Sequence, residues 1–290
     1  MLKFFWYAIT FKKNDYFGRI DRNLDYLKLK KKNWENQLRL SFKSTKSYNS
    51  KTKFFKEYFL EEHKTYFNYL KKKLEKNDKI LSIGSGRGAL ELKLYDLGFK
   101  KIILTDLEIP AGQKKLNKIF KYVKYKKFNL FKDKTKEKYD VIICMNLLYA
   151  FNKKQIRSFF VNCSKLLNKN GKLILSPGHA PIGLTNLFYN FIYLPLECFL
   201  FFLYFKIKGK EVTLFRYHHG FLFKKSEIID IALTNNFILS EKVFRDDFLS
   251  EFKRSLLLRK FINKDFKKNT ILKILGRFIP FANMHYFKLK

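Results

Sequence analysis

Short runs of uninterrupted apolar residues alternate with longer amphipathic stretches between residues 79 and 177. The first run, Ile80-Leu81-Ser82-Ile83, ends in Gly84-Ser85-Gly86-Arg87-Gly88. Short apolar runs bounded by turn residues read as strands buried on both faces. A helical pattern follows over 89–97 and closes on Gly98 at the C-cap position. Residues 101–105 (KIILT) read as a second strand ending at Asp106, followed by a basic helix. Residues 122–128, 139–144 and 171–176 read as further strands, with a helix over 155–167. Strands alternating with helices predict an α/β fold, a doubly wound and mostly parallel sheet of seven strands.

The flanks follow other patterns. Residues 1–77 read as an N-terminal helical extension, polar after residue 15, with a loop near 41–50. Its first apolar run, 4–11, is followed by Lys12, Lys13 and Asn14 and by no small-residue cleavage site. That run reads as a short helix packed on the body or as an interfacial anchor. The alternation stops after Pro177-Gly178. Residues 184–205 are almost wholly apolar and aromatic, a length that would span a bilayer. Asn190, Pro195 and Glu197 interrupt them, and Pro195 suits a first helical position with Glu197 in the first turn. Two short apolar helices are expected, forming a monotopic or re-entrant membrane hairpin in preference to a span, or else a buried lid. Ser226 is expected to cap a helix over 227–234, before a strand at 237–244, a basic helix at 253–277 and a closing strand at 281–289. The domain reading is 1–77 as the extension and 78–290 as the α/β domain, with an apolar insertion at 181–216.

Composition adds a charge of +36, from 61 basic and 25 acidic residues among 290. The excess is spread evenly: residues 1–79 hold 21 basic and 9 acidic side chains. Only 10 of the basic residues are Arg, the residue that reads guanine edges and clamps phosphates bidentately. Compositional bias therefore ranks ahead of a nucleic-acid surface, and an anionic membrane face suits the charge as well. Cys144, Cys163 and Cys198 are too few and too scattered for a disulfide framework or a zinc cluster, which favours reduced thiols and a cytoplasmic location.

The order strand, glycine loop, helix, strand, acid has a mechanism. Glycines let the backbone turn tightly and approach a ligand, and an acid at the second strand's tip can accept both hydroxyls of a ribose. Asp106 lies 18 residues after Gly88, and Gly84, Gly86 and Ala89 also satisfy the dinucleotide pattern, so a nicotinamide enzyme is one reading.

Residues 78–177, and 217–290 more loosely, resemble class I S-adenosylmethionine-dependent methyltransferases. Gly84-Ser85-Gly86-Arg87-Gly88 is similar to that family's G-x-G-x-G loop, and Asp106 to its ribose acid. Asn129-Leu130 stands where the family often has Asp-Leu beside the adenine. Tyr139–Cys144 with Asn146-Leu147-Leu148-Tyr149 resembles its fourth strand and substrate-facing loop, and Leu166–Leu175 its turn into the fifth strand. The resemblance implies S-adenosyl-L-methionine as cofactor, held by Ser82, Gly84, Ser85, Gly86, Gly88, Asp106, Leu107, Asn129, Leu130 and Asn146. It also marks two departures. Ser82 stands where the family usually has an acid facing the cofactor's ammonium group, and Asn129 replaces the frequent Asp.

The sulfonium methyl is already activated, so the implied reaction needs no metal. An oxygen acceptor needs a base, for which His is usual. His179, directly after the fifth strand, is the first candidate, followed by His218 and His219. Tyr149 reads as pocket lining or as core, and His285 as structural. The apolar insertion, flanked by Lys206, Lys208 and Lys210, favours an apolar acceptor: a lipid, an isoprenoid quinone or a lipid-linked sugar. An RNA methyltransferase and a non-catalytic membrane-surface protein that kept the fold are the alternatives.

Overall fold

The structure, a computed structural model, describes residues 2–11, 16–18, 48–59, 61–110, 112–121, 123–176, 188–244, 255, 257 and 283–289. Two strands come first, β1 (Leu2–Phe11) and β2 (Tyr16–Gly18), then helices α1 (Lys51–Tyr58) and α2 (Glu61–Lys73). The alternating region supplies β3 (Ile80–Ile83), α3 (Ala89–Asp96), β4 (Ile102–Asp106), α4 (Gln113–Ile119), β5 (Lys124–Lys127) and β6 (Tyr139–Met145). A 3-10 turn at Leu148–Ala150 leads to α5 (Lys153–Leu166) and β7 (Leu167–Ser176). A π turn at Phe188–Tyr193 runs into α6 (Leu194–Ile207), followed by β8 (Val212–Leu222), α7 (Lys225–Leu233), β9 (Phe237–Phe244) and β10 (Asn283–Leu289).

Seven strands form one sheet in the order β5-β4-β3-β6-β7-β10-β9. The five from β5 to β7 are parallel, while β10 runs antiparallel to both β7 and β9. The chain winds outward from β3 to β5, then crosses back to β6. This creates a topological switch beside β3, the point at which open α/β sheets bind ligands outside the strands' carboxyl ends. Strand residues divide by alternation between two cores. Ile80, Leu104, Val141 and Ile143 face Phe54, Tyr66 and Leu70 of α1 and α2 and Leu90 and Leu94 of α3. Leu81, Ile142, Cys144 and Leu173 face Ile156, Phe159 and Phe160 of α5 and Ile228 of α7. This is the period-two geometry of a sheet covered on both sides.

Local signals end several elements as expected. Gly98 takes φ +101 just past α3. Asn152 and Gln155 form a reciprocal capping box on α5. Ser50, at the end of the expected loop, accepts the Lys53 N–H at 3.2 Å and caps α1.

Three expectations are corrected. Residues 2–11 form a strand, not a helix: β1 pairs along its whole length with β8, from Leu2↔Leu222 to Phe11↔Val212, and with β2 at its end. Its aromatic and β-branched residues favour a pleated strand, but the partner residues lie 201 to 220 positions further along the chain. Ser226 sits inside the first turn of α7, whose N-cap is Lys224 with no side-chain cap bond. The two short apolar helices are one helical run, the π turn continuing into α6 with Pro195 near its start. Among the described residues no helix is long and apolar enough to cross a membrane. The expected basic helix at 253–277 lies outside the described residues, apart from Ser255 and Leu257.

Phe160 is fully buried, with the rings of Phe159, Phe237 and Phe287 5.5, 5.6 and 5.8 Å from its own. It ties α5 to the antiparallel β9–β10 pair. Phe160→Ala is expected to lower stability by about 3–5 kcal/mol in urea unfolding, from lost transfer energy and the cavity left behind. A loss under about 1 kcal/mol would mean that this core collapses around the gap.

Candidate active site

The carboxyl ends of β3, β4, β6 and β7 bring the candidate groups together. The loop after β3 carries Gly84, Gly86 and Gly88 at φ +68, +58 and +72, a region that side chains rarely adopt. Gly88 needs glycine for space as well, since a Cβ there would lie 2.1 Å from Leu104 Cδ2 and 2.8 Å from Tyr125 Oη. A Cβ at Gly86 would meet nothing within 4 Å, so the loop is open to a ligand at that point. The loop is pinned by Ser85 N–H donating to Thr105 O at 2.9 Å and by Tyr125 OH donating to Arg87 O at 2.9 Å.

Asp106 ends β4 with its carboxylate buried. Oδ2 accepts the Gly86 N–H at 2.8 Å and Oδ1 accepts the Leu107 N–H at 2.7 Å. Burial raises its pKa to about 6, against the lowering effect of those two N–H bonds. Each oxygen keeps lone-pair capacity for hydroxyl donors. Beside it opens a cavity of about 450 Å³ lined by Ile83, Gly84, Asp106, Leu107, Phe128, Asn129, Leu130, Phe131, Leu147 and Phe151. Lys132, Lys154, Gln155 and Ser158 add polar lining. Asn129 shapes the wall itself: its Oδ1 accepts the Phe131 N–H at 3.0 Å and its N–H donates to Asp133 Oδ2 at 2.7 Å.

Two features escaped the sequence reading. Ser82 is buried, and its hydroxyl donates to Glu91 Oε1 at 2.6 Å. The first turn of α3 thus sets a buried carboxylate beside the Ser82 hydroxyl. Burial raises the Glu91 pKa to about 7, against the lowering Ser82 bond. A Glu inside the otherwise apolar start of α3 was the available signal. The second feature joins Asn146, in the left-handed region at φ +55, to α2 and β7. Tyr66 OH donates to Asn146 Oδ1 at 2.8 Å and lies 3.1 Å from Ser176 Oγ. Tyr66 and Ser176 are fully buried, so this network fixes the loop after β6 from beneath. Nothing local in the sequence marks Tyr66.

The structure therefore gathers Gly84, Asp106, Leu107, Asn129 and Leu130 on one cavity wall. Ser85, Gly86 and Gly88 lie on the adjoining loop, Ser82 lies beneath it, and Asn146 stands at the end of β6. His179 lies outside the described residues. His218 and His219 belong to β8 in the three-stranded sheet, not to the seven-stranded one. Beyond them, Gly220 presses on the 3-10 turn: a Cβ there would come 2.4 Å from the carbonyl oxygen of the half-buried Tyr149. His285 is in β10.

A glycine cradle, an acid at the next strand's tip and a flanking apolar slot define a nucleoside-type cofactor site at an α/β switch point. A model of the methyltransferase domain family matches residues 55–237, and the chain belongs to that family. It is an S-adenosylmethionine-dependent methyltransferase, which decides against the nicotinamide reading. Among solved structures, geranyl diphosphate C-methyltransferase from Streptomyces coelicolor A3(2) is 12% identical, with 83% of this chain and 84% of that chain covered at a TM-score of 0.51. Magnesium protoporphyrin IX methyltransferase from Synechocystis PCC 6803 is 14% identical, with 79% and 82% covered at a TM-score of 0.49. At such identities the likeness concerns the fold. A search of the curated proteins finds no match.

The residues present fit the cofactor. A Cβ at Gly86 would meet no protein atom within 4 Å, the Asp106 oxygens retain acceptor capacity, and the slot beside them is lined mainly by apolar residues such as Leu107, Phe128 and Phe151.

Glu91 supplies a pH test. Its folded pKa, about 7, lies above the ordinary 4.5, so its contribution to stability is complete below pH 4.5 and is lost as pH rises to about 7. Glu91→Gln stays neutral throughout. Urea unfolding is expected to find this variant more stable than wild type at pH 8, by up to about 3 kcal/mol, with the gap closing toward pH 5. A variant less stable than wild type at pH 8 would show the carboxylate to be compensated in the folded protein.

Proposed function

We propose that the enzyme methylates a small apolar acceptor that partitions into membranes, such as a lipid, an isoprenoid quinone or a lipid-linked sugar. The observation that carries this reading is the segment between β7 and β8. It leaves the carboxyl edge of the sheet, forms the apolar helical run of 188–207, and returns through β8 to the turn beside the cavity. The exposed apolar residues of that run suit an acceptor that resides in a membrane. The methyltransferase from Streptomyces coelicolor, which shares the fold at a TM-score of 0.51, was solved with geranyl diphosphate, and an isoprenoid substrate there supports this reading.

The bound cofactor supplies an activated methyl group on a sulfonium. The chain's task is to hold donor and acceptor in line, which Asp106 and the glycine loop perform on one side and the Asn146–Tyr149 segment on the other. For an oxygen acceptor, His179, His218 or His219 removes the proton. Ser82 with Glu91, Leu107, Asn129 and Leu130 complete the cofactor side. The three cysteines are buried, which suits a reducing, cytoplasmic setting with the protein peripheral on the membrane's inner face.

Radiolabelled S-adenosylmethionine with a total lipid extract tests this reading. Label is expected in the organic phase, and alanine at whichever histidine is the base should lower turnover roughly 100-fold or more without weakening S-adenosylhomocysteine binding. Label confined to RNA or to water-soluble acceptors would overturn it.

A further inference from the structure

We infer that the exposed face of the 188–207 helical run docks the protein on an anionic bilayer surface, its axis lying in the membrane plane. The inference rests on the apolar-acceptor reading for its purpose, though not for its test. Phe188, Ile192, Leu196, Leu200, Tyr204 and Ile207 are 58, 55, 53, 55, 51 and 84% exposed. They recur at steps of four, four, four, four and three, which places them in one stripe along a helix. Phe191, Phe199 and Leu203 lie beside them, also exposed. The opposite face is already used: Cys198 with Phe201, Phe202 and Phe205 packs on Ile9, Val212 and Leu214 of the three-stranded sheet. The run is thus apolar on both sides and covered on one. A contiguous exposed apolar stripe about 30 Å long marks an interaction surface.

Charge decides what covers it. Between residues 188 and 210 the single acid is Glu197. It is buried, and its Oε1 accepts Ser255 Oγ at 2.6 Å, Leu257 N at 2.9 Å and Tyr193 OH at 3.1 Å. The exposed stripe therefore carries no negative group. Lys206, Lys208 and Lys210 follow at its end, exposed, with Lys206 Nζ and Lys208 Nζ each 5.9 Å from the rings of Phe202 and Tyr204. Apolar and aromatic side chains beside lysines match the acyl boundary and the anionic headgroups of a bilayer. A second copy of the chain is disfavoured as occupant, because each copy brings a charge of +36. No described helix can cross the bilayer, and the sheet beneath the run leaves it lying flat.

The test is vesicle co-sedimentation of the full chain with pure phosphatidylcholine and with equal parts of phosphatidylcholine and phosphatidylglycerol. Wild type is expected to sediment with the mixed vesicles and to be released in part by salt. The combined variant Leu196→Ser, Leu200→Ser, Tyr204→Ser changes exposed positions only, so its fold and S-adenosylhomocysteine affinity should match wild type. Its partition should fall roughly 100-fold. The combined variant Lys206→Gln, Lys208→Gln, Lys210→Gln should lose roughly fivefold per lysine on the mixed vesicles and nothing on phosphatidylcholine. Undiminished vesicle binding by the serine variant would overturn the inference. So would wild type that binds no vesicles, or a wild-type dimer that the serine variant returns to monomer. Methyl transfer to detergent-dispersed lipid separates the two readings. Vesicle binding without transfer counts against the acceptor alone, and transfer without vesicle binding counts against the docking face alone.

Discussion

Asp106 carries its negative charge almost out of contact with water, and its two partners are backbone N–H groups of Gly86 and Leu107. Burial of a carboxylate is costly unless donors meet it. The Gly86 bond ties the tip of β4 to the loop after β3, across the two central strands. Three residues of that loop sit at positive φ, and α3 begins on the last of them. Without the carboxylate, nothing else described holds the Gly86 N–H, and the loop that positions α3 loses its anchor. Glu91, in the first turn of α3, is the second buried acid of this edge, and the charge on Asp106 adds to the rise in its pKa. Two buried acids at one edge would favour a positively charged ligand there.

The rest of the fold delivers groups to the same edge. The parallel strands place Ser82, Asp106, Asn146 and Ser176 at or near corresponding carboxyl ends, although they are scattered over 95 residues of sequence. Helix α2 contributes Tyr66 from the N-terminal part of the chain, so that segment belongs to the site and does not merely cap the sheet. The three-stranded sheet does the same for the apolar run. It carries α6 on one face, while β8 presses Gly220 onto the turn at Tyr149.

Much of this was readable from the sequence, for physical reasons. Strands β3, β4, β6 and β7 are apolar runs closed by turn residues, and the glycines and Asp106 announce a ligand loop through backbone requirements that few other residues meet. Gly98 and Pro195 acted where their conformational limits say they should. Long-range pairing hid the rest. The β1 segment has an apolar pattern that suits a helix or a strand, and only β8, far along the chain, makes it a strand. Ser82 looked like a lost acid because its partner Glu91 is nine residues away on another element. Tyr66 reads as an ordinary helix aromatic until the sheet brings Asn146 and Ser176 to its hydroxyl. Ser226 misled because a good capping residue does not fix a helix start when packing of Ile228 and Ile231 sets the helix.

The central claim is that the Asp106 carboxylate and the glycine loop together form the cofactor cradle. Calorimetric titration of S-adenosylhomocysteine into wild type and into Asp106→Ala, with NAD as the parallel ligand, tests it most directly. The account predicts saturable binding of S-adenosylhomocysteine alone to wild type. In the folded variant, affinity should fall roughly 100-fold or more, from two charge-assisted hydrogen bonds of about 1.5–3 kcal/mol each. Equal affinity in the two proteins, or binding of NAD in place of S-adenosylhomocysteine, would contradict it.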